Sequence, residues 1–115
     1  MSNNVKAKIL ESCLGQAQSL EALVDYSADS IVSKTLLDKP SGTLTLFAFA
    51  AGQQLSEHTS VYDATIQVLD GTAWVTIDGK SIEVCAGELI VMPANIPHSV
   101  AAKADFKMLL IMIRN

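Results

Sequence analysis

The chain has 115 residues, half of them hydrophobic and only 17% charged, with a formal net charge of −4. That length suits one domain with a core of its own, without disulfide or metal staples. The acidic balance and the lack of any Lys/Arg run argue against nucleic acid or an anionic membrane as partner, and no stretch approaches the roughly 20 apolar residues of a spanning helix.

The apolar excess is high for a small soluble domain and predicts an oligomer, most simply a homodimer, that covers one apolar face. The N-terminus, Met1-Ser2-Asn3-Asn4-Val5-Lys6, leads into no apolar signal core, so a cytoplasmic protein is expected. Cys13 and Cys85 match no metal or redox spacing and are expected to be free thiols.

Residues 1–29 read as an N-terminal arm with a short helix, part of the same domain as the rest. Val5 to Leu14 fits an extended arm or a helix equally well. Ser19 to Asp25 offers a cap in Ser19, an early Glu21, and Leu20, Leu23 and Val24 at helical spacing, which predicts a helix of about two turns. From residue 30 to 115 the pattern changes to short strands between turn residues. Ser30 to Leu37 comes first, then a turn at Lys39-Pro40-Ser41-Gly42, then the alternating run Thr43 to Ala50. Ala64 to Leu69 and Thr72 to Ile77 flank the hairpin dipeptide Asp70-Gly71, and Asp78-Gly79 forms a second. Ser81 to Val84, Leu89 to Met92, Ser99 to Ala102 and Phe106 to Ile113 complete the series. Regular turns with no helix between strands predict an all-β antiparallel sandwich or barrel. Phe106 to Ile113 is apolar on both faces, as in a strand buried on both sides, within a sandwich or beneath a dimer partner.

Both histidines lie in motif-like segments. One is Gly52-Gln53-Gln54-Leu55-Ser56-Glu57-His58-Thr59-Ser60, running on to Gly71. The other runs from Gly87 through Pro93, Asn95 and Pro97 to His98. This pair resembles the two signature motifs of the cupin superfamily, over roughly residues 40–113. The resemblance implies a double-stranded β-helix, a jelly-roll barrel, with a ligand pocket in its mouth. It implies a divalent metal site of three His and one Glu. Here His58 and His98 stand at two of those four positions, Ser60 stands at another His position, and Ala64 stands at the Glu position. His58 and His98 are thus the metal-ligand candidates, for Zn, Ni, Mn or Fe with water or substrate completing the shell. Their rings are expected to converge. A purely structural role, orienting a loop through hydrogen bonds, is the alternative.

The candidate ligand-binding residues are His58, Ser60, Tyr62, Gln67 and His98. Gln67 has the wrong parity with Ala64 and would need a bulge to face the pocket. Tyr62 and Asp63 are expected on a rim loop. Met92, Met108 and Met112, with Phe47, Phe49 and Phe106, read as core, some of it lining the pocket. Trp74 is a candidate dimer contact. Three functions fit: a metal-dependent enzyme acting on a small organic molecule, a non-catalytic small-ligand module, and a metal-free protein using His58 and His98 as an acid–base or binding pair.

Overall fold

The computed structural model describes residues 8–114. Ten strands run through them: β1 Lys8–Ile9, β2 Ile31–Lys39, β3 Gly42–Phe49, β4 Gln54–His58, β5 Ala64–Asp70, β6 Thr72–Ile77, β7 Lys80–Cys85, β8 Leu89–Met92, β9 His98–Ala101 and β10 Phe106–Ile113. They form a six-stranded sheet in the order β1-β2-β3-β10-β5-β8 and a four-stranded sheet in the order β4-β9-β6-β7. Each pairing is antiparallel. The all-β antiparallel expectation holds as two sheets sharing one core.

Alternation decides what each sheet buries. In β5, Ala64, Ile66 and Val68 are buried, while Thr65, Gln67 and Leu69 take the other face. Opposite them the smaller sheet supplies Ala73, Val75, Val84 and Val100 to the same core. Phe49 and Phe106 stack there with centroids 4.5 Å apart. Each large apolar side chain buried in this way contributes about 1.5–3 kcal/mol. The β6–β7 turn follows from Asp78 and Gly79, both at positive φ (50° and 80°), as a two-residue hairpin of matching twist requires.

β10 explains its apolar character on both faces. Phe106 and Met108 face the shared core, while Leu109 and Ile111 face outward into a second cluster. The N-terminal arm covers that second cluster with Leu20, Leu23, Val24 and Tyr26. Three polar contacts fasten the arm. The Leu10 N–H donates to the Leu36 carbonyl (2.9 Å). Lys107 Nζ donates to the Glu21 carbonyl (2.7 Å). Tyr26 Oη donates to Asp70 Oδ2 (2.5 Å). Burial, then the Asp70 hydrogen bond and the charges of Asp70, Asp105 and Glu21, push the Tyr26 phenol above its ordinary pKa.

Two expectations need correction. The helix over residues 19–25 is a single 3₁₀ turn, Glu21–Leu23, and its N-cap residue Leu20 makes no side-chain cap hydrogen bond. Val24 turns extended (φ −138°, ψ 139°) and becomes buried, so packing onto the sheet ends the turn. A segment this short cannot repay helix nucleation by itself. Of the ambiguous run from Val5, residues 5–7 lie outside the described residues. Lys8–Ile9 pairs with Leu37 and Asp38 as an edge strand, and a 3₁₀ turn, Glu11–Cys13, follows. β4 was not expected as a strand. Among the described residues no helix is long and apolar enough to cross a membrane.

Candidate functional site

The two histidines meet because of an irregularity in β4. Gln54 pairs with Ala101 and Leu55 with Val100, but His58 then pairs with His98. An uninterrupted ladder would set Glu57 opposite His98. One extra residue between Leu55 and His58, a β-bulge, turns His58 to the core face that Leu55 occupies and sends Glu57 to solvent. On β9, His98 follows Pro97 and lies between His58 on one side and Ile77 on the other. The rings stand edge to face, 4.4 Å between centroids with planes at 70°. His58 is exposed at the mouth, and His98 is 3% exposed.

The backbone fixes the tautomer of both rings. His58 Nδ1 lies 2.8 Å from the Ser56 carbonyl, and His98 Nδ1 lies 3.1 Å from the Ile96 carbonyl. A carbonyl oxygen only accepts, so each Nδ1 carries the proton and donates. In the neutral ring Nε2 is then a bare lone pair. Two such lone pairs, on rings whose centroids lie 4.4 Å apart, suit a hydrogen-bond donor or a cation.

The pair lines a cavity of about 290 Å³, at the small end of the roughly 300–1,000 Å³ usual for small-molecule sites. Leu55, Ile66, Val100 and Leu110 supply much of its apolar wall, and Thr59 and Ser60 add hydroxyls near His58. Opposite the histidines runs a row across the larger sheet, with Met112 paired to Ala64 and Ala64 paired to Met92. All three line the cavity, as does Met108.

The sequence candidates divide cleanly. His58, Ser60 and His98 line the cavity. Tyr62 and Gln67 are not among the lining residues. Gln67 faces away from Ala64 because β5 pairs with β8 and β10 without a shift from Ala64 to Gln67, so the bulge that would turn it inward is absent. The Tyr62 N–H donates to Ser60 Oγ (3.1 Å), which positions the hydroxyl. Asp63 Oδ1 accepts from the Ala94 N–H (2.8 Å), and the Ser60 carbonyl accepts from the Asn95 N–H (2.7 Å). These two bonds tie the loop after His58 to the loop before His98. Asn95 sits at φ 64°, a conformation Asn tolerates better than most residues. Sequence reasoning missed Thr59, the β4 bulge and the methionine pair beside Ala64. Alternation along β8 and β10 puts each methionine on an inner face, but its place beside Ala64 follows only from strand register.

Zn, Ni, Mn or Fe in a site of three His and one Glu does not match these donors. Among the described residues no group of three or more His, Cys, Asp or Glu comes together. The carboxylate position holds the Ala64 methyl, 2% exposed, between two thioethers. Cys13 and Cys85 are free thiols, and neither lines the cavity.

A model of the cupin domain family matches residues 45–114. The chain is a cupin. Its fold is similar to a conserved protein of unknown function from Streptococcus pyogenes, 35% identical over 87% of this chain and 88% of that one, with a TM-score of 0.83. A cupin superfamily protein from Desulfitobacterium hafniense is 29% identical over 82% of this chain and 86% of that one, with a TM-score of 0.78. A cupin 2 conserved barrel domain protein from Leptotrichia buccalis is 43% identical, TM-score 0.79; the match covers 82% of this cupin but 46% of that chain. No protein of curated function matches the sequence.

Proposed function

We propose that this cupin binds one small, largely apolar organic molecule in the cavity, holding its polar end at His58 and His98. The observation that carries the reading is the pair of carbonyl-anchored imidazoles beside an apolar wall. Their Nε2 lone pairs accept from a hydroxyl, amide or protonated acid on the ligand, and Ser60 or Thr59 supplies a further hydroxyl contact. No Lys or Arg lines the cavity, which disfavours multiply charged anions. A divalent ion held by His58 and His98 would need water or the ligand for its remaining positions. The same lone pairs suit removal of a proton from the bound molecule, the step that would make the protein an enzyme.

A second copy of the chain is the proposed protein partner, seated on the outer face of β8, where Leu89 and Val91 are 62% and 51% exposed. The ligand proposal is tested by fragment screening on untagged protein with ligand-observed NMR, repeated on a His58→Ala, His98→Ala double variant. Apolar fragments bearing one hydroxyl or acid group should bind, and the double variant should lose them. Equal binding by the variant would overturn the assignment.

A further inference from the structure

Every methionine after the first residue, Met92, Met108 and Met112, lines the same cavity as both histidines of the chain. Two of them, Met92 and Met112, flank Ala64 in a single cross-sheet row. Where a carboxylate would make the wall hard and anionic, this wall presents a methyl between two thioethers.

We propose that the cavity is a site for a soft monovalent metal ion, Cu(I), bound by Nε2 of His58 and His98 and by thioether sulfur from Met92 or Met112. Ligand chemistry supports it first. Thioether and imidazole donors favour Cu(I), whereas Mn and Mg favour carboxylate and water. The second support is electrostatic. The cavity lining includes no carboxylate to offset a dication. The Born cost of burying an ion rises with the square of its charge, so a monocation pays about a quarter of the divalent penalty. The third is the support behind the rings. A metal-bound His normally donates its other N–H to a carbonyl or carboxylate, which fixes tautomer and ring orientation, and both rings do so here. The inference relies on the same cavity as the organic-ligand reading and stands apart from it, since it concerns which ion the donors select.

The test is competition for Cu(I) against the chromophoric chelator bicinchoninate, under anaerobic reducing conditions, on untagged protein carrying Cys13→Ser and Cys85→Ser. Those two changes remove the exposed and half-buried thiols, which would bind Cu(I) on their own account. One equivalent of Cu(I) per chain should be taken from the chelate, and a tenfold excess of Zn(II) or Mn(II) should not displace it. Met92→Leu with Met112→Leu conserves volume and should keep the fold, while weakening Cu(I) binding at least tenfold. His58→Ala with His98→Ala should abolish it. X-ray absorption on the Cu(I) form should show nitrogen and sulfur scatterers together. Failure of the thiol-free protein to take up Cu(I), or unchanged affinity in the Met pair variant, would overturn the proposal. Either result would leave the fragment screen free to succeed, so the two readings fail separately.

Discussion

Ala64→Glu probes the site at its most informative position. Ala64 is 2% exposed and points into the cavity toward His58 and His98. A carboxylate placed there has two routes to electrical relief near pH 7. Taking up its own proton costs about 3.7 kcal/mol, from an ordinary Glu pKa near 4.3. Protonating an imidazole instead costs about 0.7 kcal/mol, from an ordinary His pKa near 6.5. The second route is cheaper by about 3 kcal/mol, so the variant should hold a carboxylate–imidazolium pair. The chain has two histidines, so NMR titration reads each ring separately. At least one midpoint should rise by about one to three units relative to the parent protein. Met92 and Met112 are flexible enough to admit the longer side chain, and a modest loss of stability is expected. The variant also gains a carboxylate as a third donor beside the two imidazoles. At a hundredfold excess over its dissociation constant, Zn(II) should then add about 2.7 kcal/mol of stability, seen as a rise of roughly 10 °C in Tm, with little effect on the parent. Unmoved histidine midpoints together with no Zn(II)-dependent rise would refute the placement of Ala64 opposite the two rings.

Three further outcomes are expected. Gly71→Ala places a Cβ 2.5 Å from the Asp105 carbonyl oxygen at φ +74°, while Gly79→Ala at φ +80° meets nothing within 4 Å. Urea denaturation should therefore show a loss of about 1 kcal/mol for Gly79→Ala and about 2–3 kcal/mol for Gly71→Ala; equal losses would argue against the close approach. Tyr26→Phe removes the arm's bond to Asp70 and should cost about 1 kcal/mol. The raised Tyr26 pKa makes that contribution fully present below about pH 10 and lost as pH rises further. Lys107 lies 5.0 Å from the Tyr26 ring and remains in the variant. The parent-minus-variant stability difference between about pH 9 and 12 thus reports Tyr26, and a difference independent of pH would refute the assignment. Leu89→Glu with Val91→Glu should convert a dimer to a monomer in sedimentation velocity without a large change in Tm, and a parent protein already monomeric at micromolar concentration would exclude that interface.

Strand positions and the antiparallel all-β class were legible wherever alternation was clean, as in Thr72 to Ile77, or where paired turn residues such as Asp78-Gly79 fixed a hairpin, whereas the order of strands within the two sheets was not. β4 was not legible. Gln54, Ser56, Glu57 and His58 are exposed and polar at a sheet edge, so no hydrophobic period marks the strand. The short helix failed for the opposite reason: its local spacing was sound, but burying Val24 against β3 and β10 outweighed a marginal helical turn. At the site, motif position brought out His58 and His98, and Ser60 came with them. Gln67, a ligand-binding candidate only if a bulge restored its parity with Ala64, faces away because β5 has no bulge there. The methionine row stayed hidden because one sequence cannot show that residues 64, 92 and 112 lie side by side. Only strand register gives that.

The β4 bulge also changes how this chain should be compared with its relatives. Column-by-column alignment assumes that equal spacing along a strand means equal facing, and β4 breaks that assumption. A relative lacking one residue between the equivalents of Leu55 and His58 would pair its histidine with its His98 counterpart along a regular ladder, with no bulge. Closing the bulge at this chain's own length would instead bring Glu57 opposite His98, so base and acid exchange places at the cavity mouth by a one-residue change of register, with no substitution at all. Alignments should be anchored on the residue paired with His98, with the gap placed between Leu55 and His58. Ligand specificity across these proteins then becomes partly a matter of strand register, and a search limited to point changes would overlook it.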